Sequence, residues 1–401
     1  MVLRGPRPAA LVAAFACAVG LALPAAGASA SAPGPVPPGF VGMNFTGVLF
    51  PDTSAGINLN AQMGAMVASG VESIRAVFDW SYAQPYSSWS QVPPAETSQF
   101  TNVGGIPTRF GQLDELVKLA AEHGLTVLPT VLYAPSWDAA PSIDALSIPR
   151  LDAPYAAFCA ALVRRYGPHG TFWRTNSPAV PIRMWQIWNE PNLPYYWPKQ
   201  PFAASYVALL RAAHQAIKAA DPGAKVVLGG LPDTSWLSLK SIYAIRGARK
   251  LFDVVALHPY TKQPQGVITI LKLVRQVMVR AGDGRKPMIA DEISWPSSVG
   301  HHAMSQFDIG TTEAGQARNT AAVLPLLASN RRRLHLIGFY YYTWATPDDN
   351  GGNQFDFAGL FKYRSGKLTP KPAYVAFRKA ALALEHCRKR GLEASICARA
   401  G

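Results

Sequence analysis

The chain predicts an α/β fold whose eight βα units close into one (β/α)8 barrel of the TIM class, a single domain. Three observations carry this. Apolar runs of strand length alternate with longer runs of helical period, eight of each, in strict order. The strand runs are continuously apolar, as strands covered on both faces must be. No Gly-x-Gly-x-x-Gly follows the first run, which weakens the runner-up, a doubly wound open sheet.

The strand runs are Val41–Thr46, Ser73–Phe78, Thr126–Tyr133, Ile182–Trp188, Lys225–Gly229, Val254–Leu257, Met288–Asp291 and Leu336–Tyr342. The helical runs between and after them are Leu59–Ser69, Leu113–His123, Tyr155–Tyr166, Ala203–Ala220, Trp236–Arg246, Val267–Ala281, Glu313–Ala328 and Ala373–Leu384. Several helical runs stop at glycine or Asp-Pro-Gly, as at Gly70, Gly124 and Pro222-Gly223. The connections after strands two, seven and eight are long: Asp79 to Arg109, Ser294 to Thr312, and Trp344 to Gly359. Long loops at the carboxyl ends of barrel strands are where substrate contacts are built. Phe357 to Thr369, turning at Ser365-Gly366, reads as a hairpin before the last helix.

Residues 1–30 read as a secretory signal: Arg4 and Arg7, an apolar run from Ala9 to Leu23, then small-residue cleavage sites at Ala26–Ala28 and Ala28–Ala30. Residues 31–39 are a Pro- and Gly-rich linker, 40–384 the catalytic barrel and 385–401 a C-terminal tail. No second run is apolar enough to span a bilayer, so the product is expected to be exported, without stable membrane insertion. Export permits disulfides. Cys159 falls on the apolar face of a helix and reads as a buried thiol. Cys387 and Cys397 would close a short loop if paired, and the sequence leaves that open. Cysteines scattered in this way make no metal site.

Of 401 residues 49% are hydrophobic and 15% charged, which allows a large core and excludes general disorder. The formal net charge of +14 suits anionic partners, among them acidic glycans and wall or capsule polymers. Nucleic acid is set aside. The one tight basic run, Arg331-Arg-Arg333, sits at a helix end, where cations are ordinarily stabilised, and no nucleic-acid motif accompanies it.

The chemistry gathers at two strand ends. The fourth run stops at Asn189-Glu190-Pro191, because proline cannot donate to a sheet ladder. A bare Asn-Glu-Pro would suit a helix cap equally well. The seventh run also ends in acids, Asp291-Glu292. Alternation along a strand lets only one of these face the barrel mouth. Glu292 is chosen, since Trp295 and a long loop follow it, and Asp291 is expected to face the helix layer or cap it. Two carboxylates ~5–5.5 Å apart suit retaining glycoside hydrolysis. The acid needs a raised pKa and the nucleophile a nearby cation. Arg75 on strand two can supply that cation, or serve as an ordinary barrel salt bridge.

Trp188-Asn-Glu-Pro-Asn192, His258-Pro-Tyr260, Asp291-Glu292 and Tyr342-Thr-Trp344 together resemble the retaining (β/α)8 glycoside hydrolases of clan A, nearest to the β-xylosidase-like family 39 and cellulase-like family 5 branches. The likeness spans about residues 40 to 384. It implies Glu190 as acid/base and Glu292 as nucleophile. It implies Asn189 on the sugar 2-hydroxyl, Tyr260 orienting the nucleophile, Trp344 as the floor of the subsite where the bond breaks, against the alternative of a core tryptophan, and His258 lining that subsite, with a lone structural histidine as an almost equal alternative. Strand three ends Tyr133-Ala-Pro-Ser-Trp137, which suits the β-xylosidase-like branch better than the cellulase-like one. Tyr82, Trp89, Tyr195, Tyr196, Trp197 and Trp295 lie on the same loops and together favour carbohydrate contact. Asp348-Asp-Asn350 reads as a turn.

The expected function is thus a secreted retaining glycosidase acting on a polysaccharide or glycoconjugate, with no cofactor and no metal. A catalytically silent carbohydrate-binding barrel is the alternative, opposed by the presence of both glutamates. A metal-dependent barrel hydrolase ranks last, because the first run, Val41-Gly-Met-Asn-Phe, lacks a His-x-His pair.

Overall fold

The structure, a computed structural model, describes residues 36–46, 49, 56–142, 146–301, 308–349 and 353–384. The expected signal and tail, with Cys17, Cys387 and Cys397, lie outside these residues, as does Asn350. No helix among the described residues is long and apolar enough to cross a membrane.

Each apolar run forms a strand, and each run of helical period a helix. The barrel strands are β1 (Val41–Phe45), β2 (Ser73–Asp79), β3 (Thr126–Leu132), β4 (Met184–Ile187), β5 (Lys225–Leu228), β6 (Val255–Leu257), β7 (Met288–Ile293) and β8 (Leu336–Tyr341). The helices that follow them are α1 (Leu59–Val67), α2 (Gly111–Glu122), α3 (Asp152–Tyr166), α4 (Phe202–Ala220), α5 (Ser235–Ala244), α6 (Pro264–Arg280), α7 (Glu313–Leu334) and α8 (Pro372–Leu384). All eight strands run parallel in the order β5-β4-β3-β2-β1-β8-β7-β6. The outer two meet through parallel bridges, Val227 to Val254 and Leu231 to Leu257, which bring the sheet round into a barrel.

Two apolar layers hold it. Between sheet and helices lies the main core, with Phe78, Tyr155, Trp185, Trp188, Leu210 and Phe377 among its buried side chains. Inside the lower barrel, Leu128, Val227, Val254, Ala256, Ile289 and Tyr340 pack on one another. Each large apolar side chain so buried contributes about 1.5–3 kcal/mol. Cys159 is buried on α3, and burial pushes its thiol well above the usual range.

Two departures from expectation have local causes. The helical run expected to stop at Ala328 continues to Leu334. Ser329, Asn330 and the three arginines carry no apolar period, yet Arg275 of α6 donates to the Leu334 carbonyl at 2.5 and 3.2 Å and secures the last turn. The expected hairpin is present, Phe361–Arg364 against Lys367–Pro370, with Ser365 and Gly366 both at positive φ, 45° and 81°. A second hairpin, Thr101–Val103 with Ile106–Thr108, was not legible as strands; it sits in the long connection after β2.

Candidate active site

Strand ends place the site, and the helices behind them pin those ends. The Tyr155 hydroxyl of α3 donates to the Val131 carbonyl at 2.8 Å, and the Tyr206 hydroxyl of α4 donates to that of Ile187 at 2.9 Å. Past β4 the chain turns sharply. Trp188 and Glu190 take positive φ, 67° and 44°, and Tyr133 past β3 does too, at 64°. Such angles are strained for bulky residues and persist where the surroundings over-determine them. Here Trp188 N–H is held by the Val131 carbonyl and Glu190 N–H by the Gly230 carbonyl. The turn projects Asn189 and Glu190 into the mouth, only 6% and 8% exposed.

The structure corrects the reading of β7. Asp291 and Glu292 both face inward. Phe339 pairs with Ala290 and Tyr341 with Ile293, so two residue steps on β8 span three on β7. That bulge breaks the strict alternation on which the helix-facing expectation for Asp291 rested. Asp291 is fully buried inside the barrel. Its Oδ2 accepts from Gln186 Nε2 at 2.6 Å and lies 3.2 Å from Arg75 Nε.

Arg75 organises the upper barrel. Its Nε donates to Gln186 Oε1 at 2.7 Å, its Nη1 to Asn44 Oδ1 at 2.9 Å and Glu292 Oε1 at 2.7 Å, and its Nη2 to Asn189 Oδ1 at 2.7 Å. Burial alone would lower the guanidinium pKa, but Asp291 and Glu292 outweigh it and the group is held charged. Glu292 Oε2 accepts from the Tyr260 hydroxyl at 2.7 Å. The nucleophile candidate is therefore held from both oxygens, by a cation and by a phenol.

Glu190 is held differently. Its Oε1 lies 2.6 Å from His258 Nδ1. Burial raises its pKa, His258 and Arg75 pull it down, Glu292 pushes it up, and the net direction is upward. One carboxylate oxygen of Glu190 and one of Glu292 lie within 4.8 Å of each other. Carboxylates whose oxygens approach this closely suit the ~5–5.5 Å spacing of a retaining pair.

His258 sits behind the pair, fully buried, which matches the structural alternative for this residue and not the subsite-lining one. Its Nδ1 is also 3.5 Å from Glu292 Oε2, and its Nε2 is 3.5 Å from Asp291 Oδ2. Burial disfavours its charge, but Glu292, Asp291 and Glu190 outweigh that and raise its pKa to about 10. Gly230 makes room for it: a Cβ there would fall 1.9 Å from His258 Nε2.

The pocket above Glu292 has a volume of about 390 Å³, and Glu190 lies just behind its wall, next to Asn189 in the chain. Thr46, Asp79, Tyr133, Asn189, Tyr196 and Tyr342 form much of its wall, with Arg75 and Glu292 at its base. Trp344 is absent from that wall, and this is a second correction. Its ring is fully buried against Phe361 and Tyr374, and its indole N–H donates to Gln62 Oε1 at 3.0 Å. Past β8 it is Tyr342 that turns toward the pocket. Trp197 and Trp295 are likewise buried, so they offer no face to a sugar. Of the loop aromatics, Tyr196 lines the pocket, Tyr195 is 55% exposed, and Tyr82 stacks under Arg109 with 3.8 Å from guanidinium to ring centre.

A larger cavity, about 610 Å³, opens at the other end of the barrel among Pro37, Gly39, Glu72, Thr126, Arg183 and Tyr340. It lacks a carboxylate pair, so the chemistry is assigned to the smaller one. Glu190, His258 and Glu292 offer ligating atoms close enough for a divalent ion. The donor chemistry argues otherwise. A His258 titrating near 10 would have to lose a proton first, and Glu292 already accepts from Arg75 and Tyr260.

No family model matches the chain, and no curated protein does. Solved structures do. A family 39 glycoside hydrolase from Bacteroides cellulosilyticus WH2 superposes with a TM-score of 0.60 at 17% identity, over 86% of this chain and 64% of that one. A monomeric β-xylosidase from Caulobacter crescentus CB15 gives 0.60 at 18% identity, over 86% and 69%. The family 53 catalytic domain from Ignisphaera aggregans gives 0.54 at 20% identity, over 87% and 99%. The chain thus spans about two-thirds of the length of the first two and nearly all of the third. At such identities the likeness establishes the fold: this chain is a (β/α)8 barrel of the shape those glycoside hydrolases share.

Proposed function

We propose that this chain is a retaining glycoside hydrolase that cleaves O-glycosidic bonds of a polysaccharide or glycoconjugate by double displacement. One observation carries it: two buried glutamates within 4.8 Å whose surroundings differ in kind. Glu292, held by Arg75 and Tyr260, is the nucleophile; Glu190, raised by burial, is the acid.

In the first step Glu292 attacks the anomeric carbon. The glycosidic C–O bond breaks, and Glu190 gives its proton to the departing oxygen. In the second, water loses a proton to Glu190 and attacks the same carbon, which releases Glu292 as carboxylate. Asn189, whose Oδ1 is bound by Arg75, presents its amide nitrogen to a sugar hydroxyl. The fold shared with family 39 and family 53 structures supports this reading, as do the motifs that match the clan. A silent binding barrel would have no need of two buried carboxylates held by such different partners.

Secretion belongs to the same proposal. It is supported by Arg4, Arg7 and the short apolar run that follows. An anionic wall or capsule polymer is supported by the charge of +14. Its acidic groups would meet the outer surface, where Arg285, Arg331, Arg332 and His335 surround one cavity. Among the described residues lining the active-site pocket, Arg75 is the one cation, and it is already paired.

Azide separates the roles. Glu292→Ala is expected to abolish turnover of every glycoside, with azide restoring a glycosyl azide of inverted configuration. Glu190→Ala is expected to spare the first step for an activated aryl glycoside and to yield the retained azide. Proton NMR of the products decides; the opposite pattern would reverse the assignment, and no azide product from either variant would sink it.

A further inference from the structure

Two buried polar atoms beside the carboxylate pair have no hydrogen-bond partner, Asp291 Oδ1 and His258 Nε2. Both residues are fully enclosed. The β7 bulge turns Asp291 into the barrel, where its Oδ2 lies 3.5 Å from His258 Nε2, and Gly230 leaves the space that lets the ring stand there. The result is a line of three groups from the barrel centre to the pocket: Asp291, 3.5 Å to His258, then 2.6 Å to Glu190.

We propose that Asp291 is a positioning residue that holds His258 as an imidazolium, so that His258 donates to Glu190 Oε1 and keeps the catalytic proton on Oε2. The proposal rests on the reading of Glu190 as acid/base.

Charge balance supports it. The groups that face His258 and the pair are Arg75 from β2, Glu190 past β4, Tyr260 past β6, and Asp291 and Glu292 from β7. Tyr196 and Tyr342 lie close to the two glutamates, and burial holds both phenols neutral. With His258 charged, two cations meet two carboxylates, and Glu190 completes a neutral cluster only when it carries a proton. A buried cluster tolerates net charge poorly. The raised pKa of His258, to about 10, agrees. With Nδ1–H given to Oε1, the Glu190 proton is left on the other oxygen.

Removing the Asp291 charge must lower the proton affinity of His258, 3.5 Å away. In Asp291→Asn the 15N resonances of the His258 ring, assigned by a His258→Asn control, are expected to titrate about one pH unit or more below those of the native chain. The basic limb of kcat/KM is expected to move down in pH by a similar step. A purely structural Asp291 would lower the melting temperature and leave both midpoints in place, and that result overturns the proposal. If Asp291→Asn does not fold, the native chain still decides: His258 neutral at pH 7 overturns it, and doubly protonated through pH 8 supports it. If the native chain turns over no glycoside, the functional reading fails, while the His258 titration still tests the Asp291 contact on its own.

Discussion

The barrel interior has two floors built by opposite rules. The lower is apolar: Leu128, Val227, Val254, Ala256, Ile289 and Tyr340 pack without a charge among them. The upper is polar throughout, with Asn44, Arg75, Thr130, Gln186, His258 and Asp291 all buried. Yet β3 and β7 supply both. Leu128 and Thr130 are two residues apart on β3, so they face the same way and differ only in height. The lower floor specifies the barrel by filling it. The upper floor gains little stability from its charges, because desolvation offsets most of their attraction; what it secures is the orientation of two carboxylates.

The sharpest way to break this contrast is to remove the cation on which β1, β4 and β7 converge. Arg75→Met leaves Asp291 and Glu292 buried with His258, 3.5 Å from each, as their remaining cation. It should cost about 3–5 kcal/mol in urea unfolding and abolish turnover together. A well-folded, active Arg75→Met would mean that the polar floor is not a charge network at all.

The lower floor should answer differently. Leu128→Ala opens a cavity and should cost about 2–5 kcal/mol. Its kcat per folded molecule should stay within about twofold of native, because no upper-floor hydrogen bond runs through Leu128. A fall in kcat comparable to the loss of Arg75 would show the two floors to be mechanically one.

What sequence reasoning reached follows the same division. Apolar runs and breakers located all eight strands to within a few residues, since burial on both faces leaves a continuous signal. Paired strand-end acids located Glu190 and Glu292. The support beneath them was less legible. Asn44, Thr130 and Gln186 look like chance polar residues within strands, and nothing local says that Gln186 bridges Arg75 and Asp291. Asp291 was misplaced because a bulge depends on the neighbouring strand, not on β7 alone. Trp344 was misplaced because its direction is set where the chain leaves β8, with Tyr342 turned to the pocket instead. A sequence pattern records which residues are present at a strand end. It does not record which way an irregular strand end points them.

The last test concerns a resemblance between the floors. Glu72, at the lower rim just before β2, is a buried carboxyl whose pKa is raised to about 7, chiefly by burial, against a hydrogen bond from Gly39 N–H at 2.8 Å. Glu190 is raised as well, yet only Glu190 has a partner carboxylate and a histidine. A perturbed carboxyl is therefore not enough to mark a catalytic one. Glu72 should act on stability alone, and with a definite sign. The unfolded side chain titrates near 4.5 and the folded one near 7, so between these values the native state binds more protons than the unfolded. Stability from this group is fully present below about pH 4.5 and is lost as pH rises to 7. Glu72→Gln mimics the protonated form. Its unfolding free energy relative to native should be flat below pH 4.5 and rise to a plateau above 7. The gain is at most about 3.5 kcal/mol at ~1.4 kcal/mol per pKa unit, less whatever the amide loses at Gly39. Turnover at saturating substrate should not change. A difference between the two proteins that does not vary with pH would mean that Glu72 titrates in the fold as it does in water. A loss of turnover would place the lower rim in the chemistry after all.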